Sequence, residues 1–184
     1  MRKTLPRLFS PGTIGPLTLK NRVIMAPMTT RKADAEGCVT DAAIAYYKAR
    51  AEGGVGLITV EMASPERAGK HRHFELGIYD DRFLPGLQRL VDVVHAAGAK
   101  VSIQLGHGGG HTRIDIAGES PIAPSAIPHT VQEGHTEVVI PEEMSLERIV
   151  RTRNAFVEAA CRAAAAGFDA VEIHGAHGYL ISQF

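Results

Sequence analysis

Short, nearly continuous apolar runs alternate along this chain with longer stretches of helical periodicity. The runs fall at residues 22–27 (RVIMAP), 55–61 (VGLITVE), 100–105 (KVSIQL) and 170–174 (AVEIH). Runs this short, rich in β-branched residues, predict parallel strands covered on both faces. Between them lie helices with readable ends. Thr40 or Asp41 caps a predicted helix running to Glu52, with Ile44, Tyr47 and Ala51 on one stripe and Gly53 and Gly54 as its stop. Asp81 is the predicted cap of the next, where Leu84, Leu87, Val91 and Val94 share a face and Gly98 ends the run. Pro85 falls in its first turn, where a missing N–H costs little. Ser145 caps a third, with Glu147 at the positive end of the helix dipole, an inner face of Ile149, Phe156, Ala160 and Ala163, and Gly167 beyond its end.

Strand–helix alternation of this kind predicts an α/β fold with a parallel sheet. A doubly wound sheet would carry a G-x-G-x-x-G turn after an early strand. Here the first predicted strand runs into Met28-Thr29-Thr30-Arg31, without such glycines. The pattern favours a (β/α)8 barrel. Residues 5–21 read as a small hairpin closing the barrel bottom, with turns at Pro11-Gly12 and Gly15-Pro16. Residues 106–144 are rich in Gly, Pro, Ser and His and carry one strand-like run at 137–140; they read as a long loop or subdomain at the barrel mouth.

Composition narrows the function. Lys plus Arg and Asp plus Glu are 20 each, so no bulk positive charge recommends nucleic acid or an anionic membrane. Apolar residues make up 45% of the chain, yet no run approaches a membrane span. The basic first residues are followed by no apolar stretch, so they do not read as a secretory signal. Cys38 and Cys161 alone form no disulfide scaffold. The expectation is a cytoplasmic enzyme acting on a small molecule, with Cys38 in a loop and Cys161 in a helix core.

In barrels, the C-terminal ends of strands face the active site. That rule selects Ala26, Pro27, Met28 and Thr29; Glu61 and Met62; Gln104 and His107; and His174, His177 and Tyr179. Two imidazoles can donate hydrogen bonds to one oxygen, and a tyrosine can donate a proton to a carbanion-like centre. An amide such as Gln104 suits a heterocycle that presents both donors and acceptors. Backbone N–H groups at residues 106–110 (GHGGG) can bind an anion or serve as a hinge. The nine histidines, with His71/His73, His107/His111 and His174/His177 closely spaced, leave a metal-dependent barrel hydrolase as a rival reading.

Four motifs in order resemble the Old Yellow Enzyme family. They are 8–11 (LFSP) leading into 17–28 (LTLKNRVIMAPM), 50–58 (RAEGGVGLI), Gln104-Leu105 with His107, and 174–184 (HGAHGYLISQF). The likeness extends from near Leu5 to Phe184. The branch looks most similar to NADH:flavin oxidoreductases that include 2,4-dienoyl-CoA reductases and trimethylamine dehydrogenase. The resemblance implies an FMN-dependent (β/α)8 barrel in which NAD(P)H reduces FMN and hydride then passes to an activated alkene. It implies Ala26, Pro27, Met28 and Thr29 along the flavin, and backbone contact at Met62, where the family usually has a smaller residue. Gln104 falls at the pyrimidine end, His174 and His177 on the substrate oxygen, and Tyr179 as proton donor. Some relatives oxidise amines instead, and many carry an iron–sulfur cluster and a further module downstream.

A complete barrel takes about 250 residues. The 184 residues here supply about four predicted strands, so the expectation is the N-terminal half of an FMN-binding barrel domain. Such a half exposes sheet edges, lacks the phosphate loops of later strands, binds FMN weakly and self-associates.

Overall fold

A computed structural model describes residues 5–130 and 138–184. The start of the chain, residues 1–4, and Glu137 of the strand-like run lie outside the described residues. A hairpin opens the fold: β1 (Gly12–Ile14) pairs antiparallel with β2 (Leu17–Leu19). Gly15 turns between them at φ +53°, a region glycine reaches without a Cβ penalty.

The main sheet contains β3 (Ile24–Met25), β4 (Leu57–Ser64), β5 (Leu76–Gly77), β6 (Lys100–Leu105) and β11 (Ala170–Ile173). All its pairings are parallel, and β3, β4, β6 and β11 lie side by side in chain order. Each new strand is added on the same side of the last. Doubly wound sheets reverse direction at a switch point; barrels do not. The architecture is therefore α/β, a half-barrel. β5 pairs with the far end of β4 and carries no periodicity that a sequence reading could detect.

Helices α1 (Asp41–Glu52) and α2 (Leu84–Ala96) cover one face of β4 and β6. Leu87, Leu90 and Val94 of α2 share a core with Ile58, Val60, Val101 and Ile103, all fully buried. Each such side chain contributes about 1.5–3 kcal/mol by leaving water. Thr40 Oγ1 accepts from the Ala43 N–H at 3.2 Å, the N-cap of α1. For α2 the cap is Asp80 rather than Asp81. Asp80 Oδ1 accepts from the Arg82 N–H, closing a 3-10 turn at Asp81–Phe83 that leads into the helix.

Between β6 and the last helix lie α3 (Ile114–Ala117), β7 (Ile122–Ala123), β8 (His129–Thr130), β9 (Val138–Val139) and β10 (Glu142–Glu143). β8 and β9 form a short antiparallel pair, and β7 pairs parallel with β10. Helix α4 (Leu146–Ala165) follows, with Ser145 Oγ accepting from the Arg148 N–H at 3.1 Å. α5 (Leu180–Gln183) is one short turn.

The C-terminal unit departs from two expectations. Val171 and Ile173 of β11 are 40% and 53% exposed, because among the described residues no strand pairs with that edge. Cys161 is exposed rather than core, since α4 turns Ala159 and Ala163 inward and Cys161 lies about half a turn away. Among the described residues, no helix is long and apolar enough to cross a membrane.

Candidate active site

The C-terminal ends of the four barrel strands surround a cavity of about 510 Å³, lined by Pro27, Met28, Thr29, Met62, His71, Arg72, Gln104, His174, His177 and Tyr179. Eight of these are residues that the strand-end rule selects. Ala26, just before Pro27, is exposed and is not among them.

The segment after β3 is anchored from below by Glu61. Its carboxylate accepts the Thr30 N–H at 2.8 Å and the Thr30 hydroxyl, and the Tyr47 hydroxyl lies 3.3 Å from Oε1. Tyr47 also accepts the Glu61 N–H at 3.0 Å. Burial, and then the neighbouring Glu61 charge, push the Tyr47 phenol well above its ordinary range. A buried carboxylate is tolerated only with partners, and these partners tie the Met28–Thr29 turn to the body of the sheet.

Met62 is buried and reaches across to the next strand. A Cβ on Gly106 would lie 2.2 Å from Met62 Sδ and 2.7 Å from its Cγ. The space for a long side chain at 62 is thus made by the missing one at 106. Gln104 donates from Nε2 to Glu172 Oε1 at 2.7 Å, which orients its amide along the cavity wall. An ionised carboxylate only accepts, so the amide nitrogen faces Glu172.

His174, His177 and Tyr179 come together just past β11. His177 has φ +58° and bends the chain back, so that its Nδ1 lies 3.2 Å from His174 Nε2, the rings edge to face at 89°. His174 Nδ1 is 3.4 Å from the Ala176 N–H, which it accepts. Burial, then the neighbouring His177, hold the His174 imidazole below its ordinary pKa. A neutral ring that accepts on Nδ1 carries its proton on Nε2 and donates it to His177 Nδ1. In this arrangement the two imidazoles form a chain rather than a parallel pair of donors.

The phenol of Tyr179 is buried and lies 2.9 Å from His71 Nε2. His71 Nδ1 lies 2.9 Å from Glu75 Oε2, and Arg72 Nε donates to His71 Nε2 at 2.9 Å. Strand-end reasoning misses His71 and Arg72, which lie in a loop between β4 and β5. The one sequence signal at this loop is the close spacing of His71 and His73, which suggests a metal pair. His73 is instead exposed, 3.7 Å from Asp115.

Other expectations resolve differently. The N–H groups of Gly108, Gly109 and Gly110 are consumed by Gly69 O, His107 Nδ1 and Gln183 Oε1, so the glycine run is a packed turn and offers no anion nest. Buried His107 faces Glu66 at 3.1 Å, away from the cavity. Burial and then the Asp34 charge raise the Cys38 thiol, contrary to activation by a helix start. Among the described residues, no group of three or more His, Cys, Asp or Glu is placed to hold a metal ion.

Relatives share this architecture. The chain is 42% identical over 181 residues to an NADH oxidase of Thermoanaerobacter brockii, covering 97% of this chain and 27% of that protein. It superposes on the Old Yellow Enzyme homologue of Zymomonas mobilis with TM-score 0.86 at 32% identity, covering 95% of this chain and 50% of the other. Morphinone reductase in complex with tetrahydroNAD gives TM-score 0.85 at 30% identity, with 95% of this chain and 51% of that one covered. The chain therefore spans about half the length of those structures and about a quarter of the NADH oxidase. A family model matches residues 7–184, and the chain belongs to the NADH:flavin oxidoreductase / NADH oxidase family.

Proposed function

We propose that this chain supplies the flavin-facing and substrate-facing half of an FMN-dependent oxidoreductase that passes hydride from NAD(P)H to an activated alkene. The observation that carries the reading is the single cavity shared by Gln104, His174, His177 and Tyr179, with Pro27, Met28 and Met62 forming an apolar side. A flat heterocycle with apolar faces and a polar edge fits that donor set. Pro27, Met28, Thr29 and the backbone at Met62 would lie along the ring, with Ala26 outside the cavity wall. Gln104 keeps its carbonyl and one amide N–H beyond its bond to Glu172, enough to pair with a ring edge that both donates and accepts.

Bound FMN supplies two-electron hydride chemistry between a nicotinamide and the alkene. This chain's residues do the rest. His174 and His177 hold the substrate's activating oxygen, which requires their mutual bond to open toward it. Tyr179 delivers a proton to the carbon next to the activating group. Pro27, Met28 and Met62 exclude water from the ring face.

The test assembles the flavin-loaded barrel by supplying the C-terminal portion of a relative, and follows the two half-reactions separately under anaerobic conditions. Tyr179→Phe is expected to leave reduction by NAD(P)H intact and to slow alkene turnover on the order of 100-fold, the lower range for a general acid. Equal slowing of both half-reactions overturns the assignment of Tyr179.

A second reading follows from the exposed β11 edge and from the share of its relatives that the chain spans. By itself the 184-residue chain acts as a half-site. It binds FMN weakly and associates through its open edge, and a monomeric, yellow, NADH-active preparation of these residues alone would contradict that.

A further inference from the structure

We propose that His71, oriented by Glu75, is a positioning residue that fixes the hydroxyl of Tyr179 and brings the Arg72 cation beside it. The inference rests on the reading of Tyr179 as proton donor.

Three observations carry it. First, His71 and Tyr179 come from segments 108 residues apart and meet with their rings 4.7 Å between centroids, both side chains buried. Second, the proton positions follow from chemistry. A guanidinium N–H can only donate, so the bond from Arg72 Nε at 2.9 Å requires a lone pair on His71 Nε2. Tyr179, 2.9 Å from that same nitrogen, is then the donor of its contact. The ring then keeps its hydrogen on Nδ1, which lies 2.9 Å from Glu75 Oε2, an electrostatic contact whose angle is too bent for a hydrogen bond. Third, Glu75 is buried at 2% exposure. Its Oε2 also accepts the N–H groups of His71 and Arg72 at 3.1 and 3.2 Å, and its Oε1 has no hydrogen-bond partner among the described residues. A neutral glutamine would hold the same two backbone groups. Beyond those two backbone groups, the buried carboxylate acts on the imidazole beside it, 2.9 Å from Nδ1, and its charge also reaches Lys70.

The consequence is specific. In the resting site the Tyr179 O–H points at His71. During turnover the hydroxyl rotates toward the cavity, its O–H bond breaks as the substrate C–H bond forms, and a phenolate remains. Arg72 shares the His71 lone pair and lines the same cavity, so a positive charge stands where that negative charge develops. His71 thus sets both the place of the phenol oxygen and its electrostatic partner.

The experiment uses the flavin-loaded enzyme with its half-reactions separated. His71→Gln is expected to slow alkene reduction about tenfold, leave flavin reduction by NAD(P)H within about twofold, and add nothing in a Tyr179→Phe background. Glu75→Gln, which preserves the turn, is expected to show the same split at a smaller size. Equal slowing of both half-reactions by His71→Gln, or an undiminished effect in the Tyr179→Phe background, overturns the proposal. If Tyr179→Phe itself spares alkene reduction, the proton-donor reading falls and takes this one with it. If Tyr179→Phe slows it and His71→Gln does not, only this one falls. An independent readout needs no flavin. With the 184-residue chain labelled with 15N-histidine, the His71 Nε2 resonance is expected to be of the unprotonated type and to move on Tyr179→Phe. A protonated Nε2, or a resonance indifferent to Tyr179, overturns the proposal.

Discussion

An interior strand and an end strand of the sheet are written in the same alphabet and buried to opposite degrees. β4 is buried along its whole length between its neighbours and α1 and α2. β11, an equally apolar strand followed and preceded by helix, exposes Val171 and Ile173, and α4 exposes Val150 and Val157. An apolar groove of about 270 Å³ runs along that side, lined by Ile149, Phe156, Ile173, Leu180, Ile181 and Phe184 among others. The difference lies in what stands next door. A strand with a partner on each side becomes core, and the same composition at an open edge becomes surface. Yet three of the cavity's ten lining residues, His174, His177 and Tyr179, hang from the exposed unit.

The comparison breaks most sharply at the core. Leu87→Ala in α2 removes a fully buried side chain and is expected to cost 2–5 kcal/mol, read from denaturant midpoints. Ile173→Ala at the open edge is expected to stay within about 0.5 kcal/mol. Similar losses at both places would mean that β11 is covered in solution, by a second copy or by further strands of a barrel.

The next test concerns the carboxylate that fixes the first strand's turn. Glu61→Ala would leave the Tyr47 hydroxyl and the Thr30 N–H without their acceptor. The expected loss is about 1–3 kcal/mol per stranded group, together with weaker flavin binding as the Met28–Thr29 turn loosens. Unchanged stability would show that water replaces the carboxylate and that the turn is held elsewhere.

Two acids sew the exposed unit to the buried one. Asp169, just before β11, receives Lys100 Nζ and His95 Nε2 at 2.7 Å each and the Val101 N–H at 2.9 Å. At the other end of the sheet, Glu66 receives His107 and Thr152, with Arg148 at 3.1 Å. Burial works to raise both carboxyls. Hydrogen bonds and positive neighbours outweigh it, and both settle below their ordinary values. A depressed carboxyl contributes stability that is fully present above its unfolded pKa, about 3.9 for Asp and 4.3 for Glu, and is lost as pH falls through the folded value. Acid titration of Asp169→Asn is therefore expected to show a shallower loss of stability below about pH 4 than the parent. A parallel curve would detach Asp169 from the seam.

Legibility in the sequence follows the same division. Strand β6 is readable to the residue, and helix α1 to within one residue at its cap, because local pattern and tertiary burial agree there. The strand-end rule found Gln104, His174, His177 and Tyr179 because a barrel sends its strand ends to one place. His71, Arg72 and Glu172 were not found as cavity or wall residues. The first two sit in a loop whose course no periodicity encodes. The third is an ordinary strand glutamate until Gln104 is seen beside it. Cys161 departs from the core because the helix pattern gives which face is apolar but not where the inner stripe ends when the neighbouring strand is exposed. The two-residue strands β5, β7 and β10 are products of tertiary pairing and leave no sequence trace.

The smallest effect separates local from tertiary causes. Thr40 caps α1 in the buried region and Ser145 caps α4 in the exposed one, each accepting an N–H from the first helical turn at 3.2 and 3.1 Å. A cap hydrogen bond depends on the helix end, not on what covers the helix flank. Thr40→Ala and Ser145→Ala are therefore each expected to cost about 1 kcal/mol. Equal losses would place the whole contrast between the two regions in packing. A much smaller loss at Ser145 would mean that α4 is already frayed in the absence of a neighbour. The exposed edge would then reach back along the helix to Thr152, and through Glu66 to the far end of the sheet.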